Sequence, residues 1–453
     1  MQYPRRQAGF RGRLMRRFGG MVVASLLPLV VGAETLSEVY KLARQSDPKF
    51  RAAQADSRAS ATAIPQARAG FLPSAKFEID KVETRQRIHS SRNPIFGAGV
   101  TSFPTDNETL SLTQPIFRKD VIERYAQAQS VVRQSEFALL AAEQDLMLRT
   151  AAAYLAVLAA NDSLALAVAE REAVGRALEL AKEKLKFGLG TITNEHDATA
   201  RFAVTQAREI EARNKLNDAK QGLREITGRL FERYQTLRDP MVLQRPDPQV
   251  MEKWVEVALE QNLGLRAKRE GVEVARQEIA RQRAGHFPSL NLLVSHNRRD
   301  AGSTLFGGGS DVSTTDVTVR LSVPLLEGGL VLAVTEEAVQ RYHKAVEESE
   351  LERRAIERQT RAAYEGTVSG ASLVTALQQS VRSQTSALQA KEEGFRAGLL
   401  TLLPVLDAQR DLFLARRDYA QARYDHLLNR LRLKQAAGLL GEPDIDGISA
   451  ALQ

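Results

Sequence analysis

The 453-residue sequence contains no cysteine. A chain without cysteine forms no disulfide, has no thiol nucleophile and offers no cysteine for a lipid anchor near its N-terminus. Aromatic residues are also scarce, at 6%, while hydrophobic and charged residues make up 43% and 26%. This balance argues against a disordered chain and against a bundle of many membrane-spanning helices. We therefore expect a folded protein that is stabilised by packing or by assembly.

Motifs of catalysis and metal binding are missing as well. The six histidines include no pair spaced three or four residues apart, which argues against a zinc site. The sequence has neither a Gly-x-Ser-x-Gly nucleophile motif nor a phosphate-binding loop of the Gly-x4-Gly-Lys-Ser/Thr type. We therefore expect no enzyme activity, no metal and no cofactor.

Residues 1–33 predict a secretory signal peptide. They contain six arginines and no acidic residue, followed by an apolar stretch at 21–31 and a small-residue cleavage site that ends at Ala33. This stretch is shorter than the roughly 20 residues of a spanning helix, and no later segment is expected to approach that length. Removing six positive charges from a net charge of +8 leaves about +2. A nucleic-acid partner is therefore not indicated.

The sequence after the predicted signal peptide contains two similar repeats. The segment from Arg68 to Ser74 matches that from Arg283 to Ser289 at an offset of 215 residues, and Asp197 matches Asp407 at an offset of 210. Such a register indicates an internal duplication. We predict a first repeat at 34–240, a linker at 241–249, a second repeat at 250–441 and a C-terminal tail at 442–453.

Proline is rare and unevenly placed, and this predicts long helices. No proline occurs within 116–239 or within 325–403, and proline is what interrupts helix interiors. At 1.5 Å per residue, a helix of about 68 residues is about 100 Å long. The elements expected in the first repeat are a helix at 36–70, strands at 75–82 and 109–116, a long helix at 120–187 and a return helix at 194–228. Those expected in the second are a helix at 250–285, strands at 290–296 and 316–324, a long helix at 330–397 and a return helix that ends near 438.

The predicted strands have one apolar and one polar face. Val317, Val319 and Leu321 alternate with Thr318 and Arg320, which is the period-2 pattern of a sheet between two environments. A half-buried soluble sheet and an outer-membrane barrel both fit this pattern. Four strands cannot close a barrel in lipid, so a membrane location requires an oligomer.

Several short motifs, in their order and duplication, resemble the TolC family of outer-membrane export channels. They are Leu42-Ala43 with Asp47-Pro48, Gln114-Pro115-Ile116-Phe117, Val323-Pro324-Leu325-Leu326 with Gly328-Gly329, and the segment from Gly398 to Ala408. The resemblance covers residues 34–441. It implies a mainly α fold with a membrane β-barrel portion: a homotrimer with a 12-stranded barrel in the outer-membrane lipid and a helical tunnel across the periplasm.

The resemblance also implies partners and functional positions. The partners are a periplasmic adaptor and an inner-membrane pump, driven by ATP (ABC type) or by protons. The expected helix-turn tips are Gly188, Gly190, Thr191, Gly398, Thr401 and Pro404. The expected barrel-to-helix junctions are Pro73, Pro115, Pro288, Pro324, Gly328 and Gly329.

Acidic residues at the helix-turn tips are candidates for a periplasmic gate. Asp407 matches a constriction aspartate of the family, and Glu195 and Asp197 occupy the corresponding place in the first repeat. On a threefold axis, three inward carboxylates repel one another unless a cation lies among them. An early-helix carboxylate favoured by the helix dipole fits the residues equally well. Pro404 stands where the family carries a second aspartate, so the resemblance leaves open whether the gate has one carboxylate ring or more.

Two functions remain open on this evidence. The first is a passive outer-membrane duct for type I protein secretion or drug efflux. The absence of a lipidation cysteine favours the protein-exporting branch. The alternative is a periplasmic coiled-coil adaptor or structural protein without a pore of its own.

Overall fold

The computed structural model describes residues 34–90, 98–238, 241–303 and 308–452. The predicted signal peptide lies outside this range. The helices are α1 (Leu36–Ser46), α2 (Pro48–Ala61), α3 (Ala63–Ala69), α4 (Lys119–Lys186), α5 (Ile192–Thr227), α6 (Met251–Gln261), α7 (Leu263–Arg283), α8 (Leu330–Arg396), α9 (Leu402–Ala436) and α10 (Glu442–Ala450). The strands are β1 (Ser74–Ile88), β2 (Gly99–Phe117), β3 (Ser289–Ala301) and β4 (Ser310–Ser322).

The first helix of each repeat is broken, and the expectation of one continuous helix is wrong in both. The Asp47 carboxylate accepts a hydrogen bond of 2.8 Å from the Phe50 amide, and this caps α2. Asn262 caps α7 in the same way, through the Leu265 amide at 3.0 Å. An Asp or Asn side chain at such a position competes with the helix interior for backbone donors and starts a new helix.

The two long helices are uninterrupted and form the frame of the molecule. Helices α4 and α8 contain 68 and 67 residues, so each is about 100 Å long. Helix α4 packs against α5, and α8 packs against α9. Helix α7 of the second repeat packs against both α4 and α8, with Arg133 of α4 paired to Glu270 of α7 at 3.1 Å. The two repeats therefore share one helical wall.

Helix α4 also corrects an expectation about membrane spans. An 18-residue window of this helix has a mean hydropathy of 1.6, so by length and composition alone it is apolar enough to cross a membrane. The expectation that no such segment follows residue 33 is wrong. The buried α4 side chains Leu146, Ala151, Tyr154 and Leu158 pack in the main hydrophobic core, together with α1 and α9.

The four strands form one antiparallel sheet in the order β1-β2-β3-β4. Both outer strands, β1 and β4, leave an edge open in the single chain. The strands are 13 to 19 residues long, which exceeds the predicted segments and the roughly 9 to 11 residues that cross a bilayer. Beyond the apolar part of the sheet, Lys81 pairs with Asp106 at 3.4 Å and Arg298 with Asp311 at 2.9 Å. The ends of the strands that carry these ion pairs are therefore polar and fit an aqueous environment.

The strand register gives the sheet one apolar and one polar face. Because side chains alternate along a strand, residues paired in one cross-strand row lie on the same face. One row across all four strands is apolar and consists of Ala75, Leu112, Val294 and Val317. The next row lies on the opposite face and is polar, with Lys76, Ser111, Ser295 and Asp316.

The C-terminal tail is a structured element. Helix α10 packs against α1, where Ser37 donates a hydrogen bond of 2.6 Å to Asp446 and Arg44 pairs with Glu442 at 3.0 Å. Leu237, in the connection after α5, forms a β-bridge with Leu452. These contacts join the end of the chain to the start of the first repeat.

Candidate functional site: the helix-turn tips

The two helix-turn tips have the same backbone construction. Gly188 and Gly398 adopt φ values of 71° and 73°, in the left-handed region that glycine enters without a steric penalty. The following amides bond back to the ends of the long helices, from Leu189 to the Lys184 carbonyl at 2.8 Å and from Leu399 to the Gly394 carbonyl at 2.9 Å. These bonds end the long helices and reverse the chain.

The return helices begin at matching threonines. Thr191 and Thr401 are the N-cap residues of α5 and α9, and the Thr191 hydroxyl accepts a hydrogen bond of 3.3 Å from the Asn194 amide. Gly190 lies against the end of α4, where a Cβ would come within 3.1 Å of the Leu185 nitrogen. Pro404 is the third residue of α9, where its missing N–H costs no helix bond.

The predicted junction residues lie at the other end of the long helices. Pro73 and Pro288 directly precede β1 and β3, and Pro324 follows β4 by two residues. Pro115 lies at a register irregularity near the end of β2, as expected of a residue that cannot donate to the ladder. Gly328 and Gly329, with φ of 60° and 82°, precede α8. One full long helix, about 100 Å, therefore separates the strands from the tips.

Both repeats contribute to a small hydrophobic core at the tips. The buried members come from α4, α5 and α9: Val174, Leu178, Ala181, Ala198, Leu402 and Leu406. Phe395 at the end of α8 packs against them. The tip is therefore one packed unit of four helices, and Asp407 directly follows one of its buried residues.

Asp407 forms an ion pair between the two repeats. Its carboxylate accepts a hydrogen bond from the guanidinium of Arg201 on α5. Arg410, one turn further along α9, lies 3.6 Å from the same carboxylate oxygen. The Asp407 and Arg201 side chains are 36% and 29% exposed. Asp407 is thus already beside two positive charges within a single chain.

The structure does not give Glu195 and Asp197 the same role. Both lie in the first two turns of α5, and neither forms an ion pair within the residues that the structure describes. Arg201 follows Asp197 by one helical turn, yet its guanidinium contacts Asp407 instead. Of the three predicted gate residues, Asp407 is the one that forms an ion pair with the other repeat across the described part of the chain.

A second charged cluster lies one to two helical turns from the tip core, on the side away from the turns at Gly188 and Gly398. Glu170 of α4 is buried and accepts a hydrogen bond of 2.9 Å from Arg208 of α5. Burial raises the pKa of the Glu170 carboxyl, and the attraction of Arg208 opposes that rise. Glu209 is also buried and pairs with Arg171 at 2.9 Å.

The sequence interpretation missed the arginines of both clusters. Arginine is common along these helices, so the positions of Arg201 and Arg208 carry no distinguishing motif. Their seven-residue spacing, which places them on one face of α5, is the signal that was available. Within the described ranges, no group of three or more His, Cys, Asp or Glu side chains is arranged to hold a metal ion.

Comparisons with known proteins agree with this architecture. The model of the outer membrane efflux protein family matches residues 39–229 and 254–439. The chain is 32% identical over 433 residues to the outer membrane protein TolC of Vibrio cholerae serotype O1, which covers 94% of this chain and 96% of that protein. It is 29% identical over 425 residues to the alkaline protease secretion protein AprF of Pseudomonas aeruginosa, covering 92% of this chain and 86% of that protein.

Among solved structures, the fold matches the Campylobacter jejuni CmeC outer membrane channel, with a TM-score of 0.77 at 15% identity, over 93% of this chain and 90% of that chain. The family match covers both repeats, and the matched structure is a channel of the same architecture. The chain therefore belongs to the outer membrane efflux protein family and is an outer-membrane export channel that extends into the periplasm.

Proposed function

We propose that this channel is the passive outer-membrane duct of a tripartite type I protein-secretion system. The observation that carries the proposal is the register of the sheet, which separates an apolar from a polar face across all four strands. A lipid-facing exterior and a wet interior require this separation. Three chains complete the 12-stranded barrel of this family, and closure removes the open edges of β1 and β4.

The choice of secretion over drug efflux rests on two supporting observations. The chain has no cysteine and therefore no lipid anchor of the cysteine type. Its relatives include a protease secretion protein that matches 92% of the chain. The alternative of a periplasmic adaptor without a pore receives no support from the family match, because the matched family consists of channels.

The experiment is a secretion assay in cells that lack their own outer-membrane channel. The cells carry a type I pump, its adaptor and a secreted protease, and the measured quantity is protease activity in the medium. Expression of this chain should restore secretion. Restored expulsion of a dye by a multidrug pump, with no secretion of the protease, would contradict the proposal.

The resting gate, in this proposal, is the tip held by the Asp407–Arg201 pair. This pair joins α9 of the second repeat to α5 of the first. A partly exposed ion pair contributes about 0 to 1 kcal/mol, so three copies form a weak closure that a partner can release. Because Arg201 and Arg410 accompany Asp407, the gate depends on pairing rather than on a bare ring of three carboxylates.

The proposed surface for the periplasmic adaptor is the pair of helix-turn tips. Phe187, Leu189 and Leu399 are 73%, 79% and 80% exposed there, and a cluster of exposed apolar side chains indicates a protein contact. Leu189→Asp with Leu399→Asp should abolish secretion while the purified channel still conducts ions. Ile210→Asp, at an exposed position of α5 away from the tips, is the matched control and should secrete normally.

A further inference from the structure

A groove lies beside the tip core, between α4 on one side and the α8–α9 pair on the other. We call it the tip groove. Its volume is about 680 Å³, within the range of sites that bind small organic molecules. Its lining includes the apolar side chains Leu180, Leu388, Phe395, Val405 and Leu412. These residues offer an apolar surface to an organic body.

The charged residues of the tip groove are mostly positive. Arg176, Lys184, Arg396 and Arg416 line it together with one acidic residue, Glu392. Arg396 lies 3.7 Å from Glu392. Across the residues that the structure describes, Arg176, Lys184 and Arg416 have no carboxylate partner. The groove therefore has an excess of about three positive charges and attracts an anion.

Two of these cations lie over aromatic rings. The Lys184 ammonium is 4.3 Å from the centre of the Phe395 ring, and the Arg416 guanidinium is 5.8 Å from the centre of the Phe413 ring. This geometry places a positive head group next to an apolar surface. A ligand that combines an aromatic or aliphatic body with one negative group satisfies both features at once.

From these features we infer that the tip groove binds one small amphipathic organic anion per chain, such as an aromatic sulfonate or carboxylate. The volume of the groove fits a small molecule, and its excess of positive charge favours an anionic one. The same ligand would touch α4, α8 and α9 at once. Phe395 and Leu402 belong both to the groove and to the tip core, so the occupied groove would hold α9 in its observed position.

The test measures binding of naphthalene-2-sulfonate to the trimer in lipid nanodiscs by titration calorimetry, with empty nanodiscs as the blank. The neutral naphthalene-2-sulfonamide has the same shape and separates charge recognition from apolar binding. We expect one saturable site per chain for the sulfonate and about tenfold weaker binding of the sulfonamide, since charge-assisted hydrogen bonds are the stronger ones.

The decisive variant is Arg176→Gln with Lys184→Gln. It should weaken sulfonate binding by about tenfold or more and leave sulfonamide binding unchanged. Lys182→Gln with Lys186→Gln removes two exposed charges from the same part of α4 outside the groove lining, and should bind the sulfonate like the original protein. Ion conduction in planar bilayers shows that each variant is assembled.

Sulfonate binding that does not saturate, or that is equal in the original protein and in the Arg176→Gln/Lys184→Gln variant, would overturn the inference. The inference would also be overturned if the tip groove bound no sulfonate but lost its accessibility to solvent when a purified adaptor is added. The groove would then be a protein-docking surface. These measurements are independent of secretion. A channel that binds the sulfonate but restores no secretion contradicts the proposed function and still supports the inference about the tip groove.

Discussion

The two repeats share the backbone geometry of their turns and close approaches, but they differ in their charged side-chain contacts. In both repeats, the glycine before the sheet lies against the start of the long helix: a Cβ on Gly70 would lie 2.8 Å from Val121, and one on Gly285 would lie 2.9 Å from Val331. The return helices both end at a left-handed glycine, Gly228 or Gly438. The duplicated fold is therefore maintained by positions where the backbone comes close or turns.

The charged contacts differ between the same positions. In the first repeat, buried Asp47 pairs with Arg149 at 2.9 Å. The equivalent positions in the second repeat hold the neutral Asn262 and Gln359. At the tips, Asp407 contacts Arg201 of the other repeat, whereas its equivalent Asp197 has no ion pair among the described residues. This difference indicates that the duplicated fold and the proposed gate depend on different residues of the same repeated unit.

The largest effect is expected at the glycines that end the return helices. A Cβ on Gly438 would lie 2.4 Å from the Gln261 carbonyl oxygen, whereas one on Gly228 meets nothing within 4 Å. Gly228→Ala should cost about 1 to 2 kcal/mol, from its left-handed conformation alone. Gly438→Ala should cost about 4 kcal/mol or more, because a backbone must also move. Thermal unfolding of the two variants tests this, and equal losses would contradict it.

A smaller effect is expected at the buried ion pair of the first repeat. Asp47→Asn keeps the cap of α2 but removes the buried one of the two carboxylates, Asp47 and Asp145, that pair with Arg149, and should cost about 2 kcal/mol. The double variant Asp47→Asn/Arg149→Gln copies the second repeat and should recover part of that loss. Chemical unfolding of the single and double variants measures the difference. A double variant less stable than the single one would show that the repeats are not equivalent at this position.

The next prediction concerns the pH dependence of stability. His426 of α9 is fully buried, and burial together with Arg430 lowers its pKa below the ordinary value of 6.5. The unfolded chain therefore takes up this proton at a higher pH than the folded one. The contribution of neutral His426 to the free energy of unfolding is fully present above about pH 6.5 and falls as the pH drops below that value. The equivalent residue in the first repeat is the buried Leu216.

His426→Leu should remove this contribution. Between about pH 7.5 and about pH 5.5, the original protein should lose more unfolding free energy than the variant, while the two should have parallel profiles above about pH 7. Denaturant titrations at each pH measure this. Parallel profiles throughout the range would assign the acid sensitivity to other groups.

The sequence predicted the fold where a physical signal is local or repeated. The proline-free stretches correctly indicated α4 and α8, because no other residue type interrupts a helix so strongly. The breaks at Asp47 and Asn262 were missed. Both residues suit a helix interior poorly and a cap well, and Pro48 at the first position of α2 is a further local signal that the prediction did not use. The lengths of the strands were underestimated because their ends are mostly polar and hold only isolated apolar residues, such as Val100, Phe103 and Val312, without the alternating pattern.

The candidate site was only partly predictable, for a different reason. The turns at Gly188 and Gly398 follow from glycine in a duplicated register, which the sequence contains. The partner of Asp407 does not, because Arg201 lies 206 positions away on a helix of the other repeat. Only packing of α5 against α9 shows which of many arginines is close. Ion pairs between distant elements are set by tertiary geometry, and a single sequence carries little signal for them.

The most direct test of the account is the single-channel conductance of charge-exchanged tips in planar bilayers. Arg201→Asp and Asp407→Arg each place like charges together, so each should increase the time that the channel spends in high-conductance states. The double variant Arg201→Asp/Asp407→Arg restores an opposite pair with exchanged positions, but its positive charge at position 407 lies beside Arg410. It should therefore return the channel most of the way to the mainly closed behaviour of the original protein. A double variant as open as the sum of the two single changes would contradict a gate closed by this pair.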